Sequence, residues 1–390
     1  MIHDFMFDDL SLLNLYYIWQ SKHPKVYNMK HVFYIIVMIS LLIYNCAADE
    51  ETNDTENTSD PEALYFPPIG SDTWETKSIS DLAWNENELE PLLDYLENQN
   101  TKSFMILHDG KIVVEAYMNG HDANTAWYWA SAGKTLTTAL SGIAQDEGLI
   151  NINNKVSDYI GTGWTSASLE KENLITCKHL LSMSSGLDDS LGDSTEPEDL
   201  QYIADAGTRW AYHNVYKKMQ DVIATVSNSS FTNYFNTKLR DKIGMNTTKS
   251  LWVQLSDFNV YWSNTRSMAR FGLLMYNNGK WNDTQIVPED FLTEAMNTSQ
   301  ELNNSYGYLW WLNGKSSYML PSSQIELNGE LIPNAPGDMV AALGKNDQKI
   351  YVVPSEKLVV IRMGEAADAE TFALSSFDND LWEKINALIN

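Results

Sequence analysis

The spacing of apolar positions changes character several times along this chain, and each change predicts a different element. Val32 to Tyr44 is a nearly unbroken apolar run, preceded by Met29-Lys-His and ended at Cys46. It is too short to span a bilayer, and a basic start, an apolar middle and a polar break are the layout of an export signal. From Asp49 to Glu62 acids are interleaved with Thr, Asn and Ser, and no base occurs. Such a stretch cannot collapse and predicts a solvated tether, closed by Pro67-Pro68, with the folded part starting between Trp74 and Leu92. Ser103 to Tyr117 is two β-prone runs joined by Asp109-Gly110, a two-residue hairpin signal.

Ser131 to about Asn297 carries mostly helical periodicity broken by Gly and Asn turns. Gln348 to Pro354 and Lys357 to Met363 are again strands, and an amphipathic helix is predicted from about Ser376 to Ile389. Strands from both ends with helices between them predict an α+β (mixed α/β) fold. In it, an antiparallel sheet built from N- and C-terminal strands packs with helices, and a mainly helical region is inserted between its halves. The domain organisation expected is an N-terminal extension over 1–28, attributed to an over-long gene start, and an export signal over 29–46. An acidic flexible linker over 47–74 and one folded domain over 75–390 follow.

Composition narrows the function. Hydrophobic residues make up 44% and charged residues 20% of 390, which describes a globular chain with a substantial core. The 26 basic and 52 acidic side chains leave a formal net charge of −26, which repels nucleic acid and excludes nucleic-acid binding as the main task. Thirteen Trp and twenty Tyr suit core packing and also a cleft with apolar walls. Of the two cysteines, Cys177 lies in an apolar run and reads as a core residue. No C-x-x-C pair or H-E-x-x-H helix occurs, so neither a metal nor a cofactor is expected.

The densest chemical signal is Ser131-Ala-Gly-Lys134, followed by Leu136, Leu140 and Ile143 at the spacing of one helix face. A serine and a lysine at i and i+3 share a side of the helix, and its first turn favours developing negative charge. That arrangement activates a hydroxyl that is otherwise a poor nucleophile. Ser168-Leu-Glu-Lys171 is a second match, set aside because no apolar run follows it. Tyr212-His-Asn214 comes next, led in by a glycine turn and Trp210 and followed by a helical run from Val215 to Val226. Tyr234-Phe-Asn236 and Tyr276-Asn-Asn278 show the same pattern without that context. Leu343-Gly-Lys-Asn-Asp-Gln348 lies at the start of a predicted strand. A Ser-His-Asp hydrolase of the α/β type is disfavoured, because the chain has no G-x-S-x-G and no histidine after His213.

With these motifs in this order, the chain resembles the serine β-lactamase and penicillin-binding-protein-like hydrolases, in particular the class C branch and its esterase relatives. The resemblance covers about Trp74 to Asn390 and extends to Ile175–Leu187, Met268–Met275 and Tyr306–Asn313. It implies a β-lactamase/transpeptidase-like fold and an acyl-enzyme on Ser131. Lys134 then acts as base or as a fixed positive charge, and Tyr212 relays a proton to the leaving group, which at neutral pH requires nearby cations to lower its pKa. Asn214 is expected to hold Lys134 and the substrate acyl chain, and Lys345 to supply positive charge at the strand edge. The resemblance implies an oxyanion hole from the backbone N–H groups of Ser131 and Gln348.

Asp347 stands where that family has glycine. On a strand it would share a face with Lys345, and by neutralising that lysine it is expected to make β-lactams poor substrates and neutral esters or amides better ones. The predicted function is a serine hydrolase acting through an acyl-enzyme on an ester, amide or D-peptide. The alternative is a non-catalytic surface lipoprotein of the same fold that binds a peptide, glycan or cell-wall fragment. The expected partner is a small-molecule ester, amide or peptide, with no nucleic acid. Membrane contact is expected only through a lipidated Cys46 or an N-terminal anchor. Cys46 followed by Ala-Ala-Asp-Glu-Glu resembles a bacterial lipoprotein signal, although Asn45 stands where a small residue is usual. Export to the periplasm or cell envelope, with a lipid anchor, is the expected location. The loops Asp188 to Asp199 and Ser316 to Pro336 are expected to frame the cleft.

Overall fold

The computed structural model of this chain describes residues 63–255, 258–367 and 374–390. The N-terminal extension, the export signal with Cys46 and most of the acidic linker lie outside the described residues.

A helix, α1 (Leu89–Asn98), leads into the hairpin of β1 (Thr101–His108) and β2 (Lys111–Tyr117). The hairpin turns on Asp109 and Gly110, with φ of 45° and 81°, the left-handed pair that a tight two-residue connection needs. The short strand β3 (Trp127–Tyr128) and the helices α2 (Lys134–Asp146) and α3 (Lys218–Ser227) come next. Then follow β4 (Leu251–Leu255), β5 (Phe258–Ser263), α4 (Thr265–Tyr276) and β6 (Trp311–Leu312). The chain closes with β7 (Val340–Gly344), β8 (Gln348–Val353), β9 (Leu358–Gly364) and α5 (Ser376–Ile389).

The main sheet has the order β2-β1-β9-β8-β7-β6 with antiparallel pairing throughout. The two ends of the folded chain meet at β1 and β9, where Met105 faces Ile361 and Ile106 faces Val360. This is the mixed, antiparallel architecture expected from the pattern of strands. Helices cover both faces, so β9 is buried along its whole length, as its run of Leu-Val-Val-Ile requires. Gly272 lets α4 lie close on one face, since a Cβ there would come 2.5 Å from Val359 Cγ1. On the other face Tyr95 of α1 stacks on Phe377 of α5 at 5.9 Å, and Trp382 meets Tyr351 edge-on.

Several expectations change. The apolar spacing of Leu136, Leu140 and Ile143 predicts one buried face for α2, yet every residue from Lys134 to Ala144 is buried. A helix covered on all sides runs through an interior. The inserted region is mainly helical, as expected, and it also carries β4 and β5, which with β3 form a second sheet in which Tyr128 pairs with Trp262. The folded part starts earlier than the linker boundary at 74 allows. Tyr65 N–H donates to Asp109 O at 3.0 Å, and the Arg270 guanidinium donates to the carbonyls of Pro67, Pro68 and Ser71.

Candidate active site

Ser131 sits on a 3-10 turn, Ala130–Gly133, that runs straight into α2. The turn is held from behind by Trp129. Its N–H donates to Tyr261 O at 2.8 Å and its indole Nε1 to Ser263 Oγ at 2.8 Å. Ala130 adopts φ of 47°, a left-handed conformation that a residue with a Cβ holds only under constraint and that is concentrated at functional sites.

Lys134 Nζ donates to Ser131 Oγ at 2.8 Å. The lysine is only 4% exposed, and its nitrogen faces the rings of Tyr212 and Tyr216 at 4.9 and 4.8 Å. Burial is the largest influence on this amine; Asp193 opposes it, Lys217 adds to it, and the pKa is drawn down to about 7. Tyr212 lines the same cleft, and the Ser131 side chain acts to lower its pKa. Desolvation nevertheless pushes the phenol up to about 12, against the smaller effect of Ser131. The expectation that neighbouring cations lower this phenol is not met: loss of water is the largest influence, and no cation is among those that lower it.

The Tyr212 ring lies nearly parallel to Trp311 at 5.8 Å and edge-on to Tyr306 at 6.2 Å. The aromatic run from Tyr306 to Trp311 thus forms the wall that orients the phenol. Asn214 does not hold Lys134. Its Nδ2 donates to Asp193 Oδ1 at 2.8 Å, which ties the start of the segment before α3 to the loop at the cleft mouth.

Strand β7 supplies the opposite side. Gly344 abuts the serine turn so closely that a Cβ would fall 2.3 Å from Trp129 O and 3.0 Å from Ala132 N. The position where close approach demands glycine is therefore 344, not 347. Lys345 follows, exposed on the cleft wall. Asn346 and Asp347 then turn the chain into β8 with φ of 59° each, so Lys345 and Asp347 do not share a strand face.

Two expected site residues lie outside the cleft. Asp347 is fully buried, accepts from Ala367 N–H at 3.0 Å and Ser375 Oγ at 2.9 Å, and pairs with Lys349 Nζ at 3.1 Å. It does not neutralise Lys345, and the premise for weak β-lactam turnover falls with that contact. Gln348 is also fully buried. Its Nε2 donates to Asn346 O at 2.8 Å and Gly364 O at 2.6 Å, and its backbone pairs with Gly344 in the β7–β8 ladder.

The resulting cleft has a volume of about 730 Å³, and its wall includes Ser131, Lys134, Tyr212, Asn214 and Lys345. Both expected loops contribute, through Asp189 and Asp193 on one side and Pro321 and Ser322 on the other. Gly344, Tyr128 and Trp262 escape sequence reasoning. Tyr128 could have been flagged by the aromatic run next to Ser131, and Gly344 by the Leu-Gly-Lys step. Trp262 arrives only through the pairing of β3 with β5. The rejected Ser168 match is a helix cap, its side chain accepting from Lys171 N–H while Lys171 Nζ pairs with Asp205 at 2.6 Å. Among the described residues, no group of His, Cys, Asp and Glu is arranged to hold a metal ion.

The family model described as Beta-lactamase matches residues 96–373. Among solved structures, the chain is similar to a provisionally named 6-aminohexanoate-dimer hydrolase from Bacillus anthracis, with a TM-score of 0.62 and 19% identity over 83% of this chain and 89% of that one. It is similar to a provisionally named beta-lactamase from Bacteroides dorei DSM 17855, with a TM-score of 0.63 and 16% identity over 79% and 99% of the two chains. A third likeness is to EstCE1, a hydrolase with promiscuous acyltransferase activity, with a TM-score of 0.57 and 12% identity over 80% and 99%. A search of curated proteins found no match. At these identities the structural likeness establishes the fold.

Proposed function

This chain belongs to the beta-lactamase family of serine hydrolases, and from that premise we propose that it cleaves an ester or amide through an acyl-enzyme on Ser131. The observation that carries this reading is the 2.8 Å contact between Lys134 Nζ and Ser131 Oγ, with the amine drawn down to about 7. A neutral amine at that distance accepts the hydroxyl proton as Oγ attacks the carbonyl carbon. Charge developing on the carbonyl oxygen is met by the backbone N–H groups of Ser131 and Lys345, the residue that β7 delivers to the cleft wall in place of Gln348.

Tyr212 keeps its proton at neutral pH and donates it to the departing oxygen or nitrogen as the scissile bond breaks, regaining one from the Lys134 ammonium. Water, deprotonated by the same amine, then attacks the acyl carbon, releases the acid and restores the Ser131 hydroxyl. Aromatic walls from Tyr128, Tyr216 and Trp262 favour an apolar portion of the substrate, and Lys345 and Asp193 offer both signs of charge along the cleft wall. The name carried by the Bacillus anthracis protein supports adding 6-aminohexanoate dimer to a panel of p-nitrophenyl esters, D-Ala peptides and β-lactams.

A fluorophosphonate probe tests the reading. Labelling of the wild type that disappears in Ser131→Ala supports it. A folded protein that neither labels nor turns over any of the panel is a binder, and the hydrolase reading is then wrong. Anchoring through Cys46 is proposed on the sequence alone, and is tested by lipid labelling that Cys46→Ser abolishes.

A further inference from the structure

Asp347 is buried outside the cleft, on the turn that brings Lys345 towards Ser131. Glycine would adopt the left-handed φ of 59° found at Asn346 and Asp347 with less strain than either residue does, so a side chain at 347 calls for a reason. A carboxylate held out of water must be matched by partners, and each partner is present. Oδ2 accepts from Ala367 N–H at 3.0 Å, and Oδ1 accepts from Ser375 Oγ at 2.9 Å and lies 3.1 Å from Lys349 Nζ. Lys349 bridges to Asp378 Oδ2 at 2.7 Å, and Asp378 Oδ1 accepts the Tyr351 hydroxyl at 2.5 Å. Arg362 closes the cluster by donating to the carbonyls of Asn346 at 2.9 Å and Asp347 at 3.0 Å. Asp347, Lys349, Arg362 and Asp378 are each 0% exposed, and their charges balance.

The far side of the turn is equally constrained. Asn346 Nδ2 donates to the Tyr128 hydroxyl at 2.7 Å in the cleft wall, and Gly344 rests against the carbonyl of Trp129. The backbone of Lys345 therefore lies between two fixed points, the buried cluster and the serine turn.

We propose that Asp347 is a positioning residue for hydrolysis: its buried carboxylate ties the β7–β8 turn to the start of α5 and so holds the Lys345 N–H where the oxyanion forms. The proposal rests on the acyl-enzyme reading above and gives it a support that Gly344-Lys345 alone lacks. Oxyanion donors act by being in place before charge develops, and a misplacement of about 1 Å costs on the order of 10²-fold in rate.

The test uses the full chain and two variants. Asp347→Gly removes the tether while leaving the turn's backbone conformation accessible. The double variant Asp347→Gly, Lys349→Met also removes the partner cation, keeps the buried charge balanced and serves where the single variant does not fold. With a p-nitrophenyl ester, the expected result is a kcat about 10- to 100-fold lower with KM within about twofold. Amide hydrogen exchange should quicken across residues 343–349 while the β1–β9 core stays protected, which separates lost positioning from lost stability. A folded variant whose kcat stays within about twofold of wild type, or whose defect lies in KM alone, overturns the positioning role. A wild type without Ser131-dependent turnover overturns the acyl-enzyme reading itself, and the positioning role with it.

Discussion

Lys134 Nζ lies 4.9 Å from the centre of the Tyr212 ring, and desolvation moves these two neighbours in opposite directions. Burial disfavours whichever form is charged, so the amine falls to about 7 and the phenol rises to about 12. Both groups line the cleft that holds Ser131, and in the proposed acyl-enzyme reaction the split would give them separate work: the lysine takes protons and the tyrosine gives them.

The pH dependence of hydrolysis follows. For a neutral ester, kcat/KM should rise as Lys134 loses its proton near pH 7 and then stay level up to about pH 10, since Tyr212 holds its proton to about 12. Initial rates in overlapping buffers check this. A descending limb near pH 8 would point to an acid other than Tyr212.

Lys134→Met should abolish turnover and raise thermal stability. The folded-state value of about 7 lies below the ordinary 10.5, so between those pH values the unfolded chain binds a proton that the native state lacks. Wild-type stability therefore rises with pH through that window, and the penalty of burying the amine is greatest at pH 7 and below. The gain in Tm should be about 2 °C or more at pH 6 and shrink towards pH 10, read by thermal unfolding of both proteins.

Gly344→Ala should damage the site from the strand side. Its Cβ would meet the Trp129 carbonyl at 2.3 Å, and backbone cannot step aside as a flexible side chain can. A loss of about 1–3 kcal/mol in urea unfolding is expected, with kcat/KM reduced about 10²-fold. Gly337→Ala is the control, because a Cβ there finds its nearest neighbour at 3.7 Å.

Tyr212→Phe removes one hydroxyl and leaves the packing on Trp311 and Tyr306 intact. Stability should change by less than about 1.5 kcal/mol, while kcat falls by about 10² or more with KM little altered. A raised KM with kcat unchanged would place the phenol in binding instead.

How much of this was legible differs from element to element. The hairpin at Asp109-Gly110, the C-terminal strands and α5 could be read because turn chemistry and short-range periodicity are local properties. The second sheet was not, since β3 is only two residues long and gains its partner from a strand more than a hundred residues away. Asp347 was misplaced for a related reason. Strand alternation predicts which face a side chain takes only while the chain remains a strand, and the left-handed pair at Asn346 and Asp347 ends the strand at Gly344.

By itself the amino-acid order determined which residue types occur at i and i+3 in the turn leading to α2, that strands lie at both ends of the folded chain, and that Ser131, Tyr212 and Lys345 occur in that sequence. Tertiary structure decided the rest: which of these meet in one cleft, how far each is stripped of water, and where the carboxylate of Asp347 finds its partner. Proton affinity and charge pairing depend on everything within a few ångströms, and those neighbours come from segments far apart along the chain.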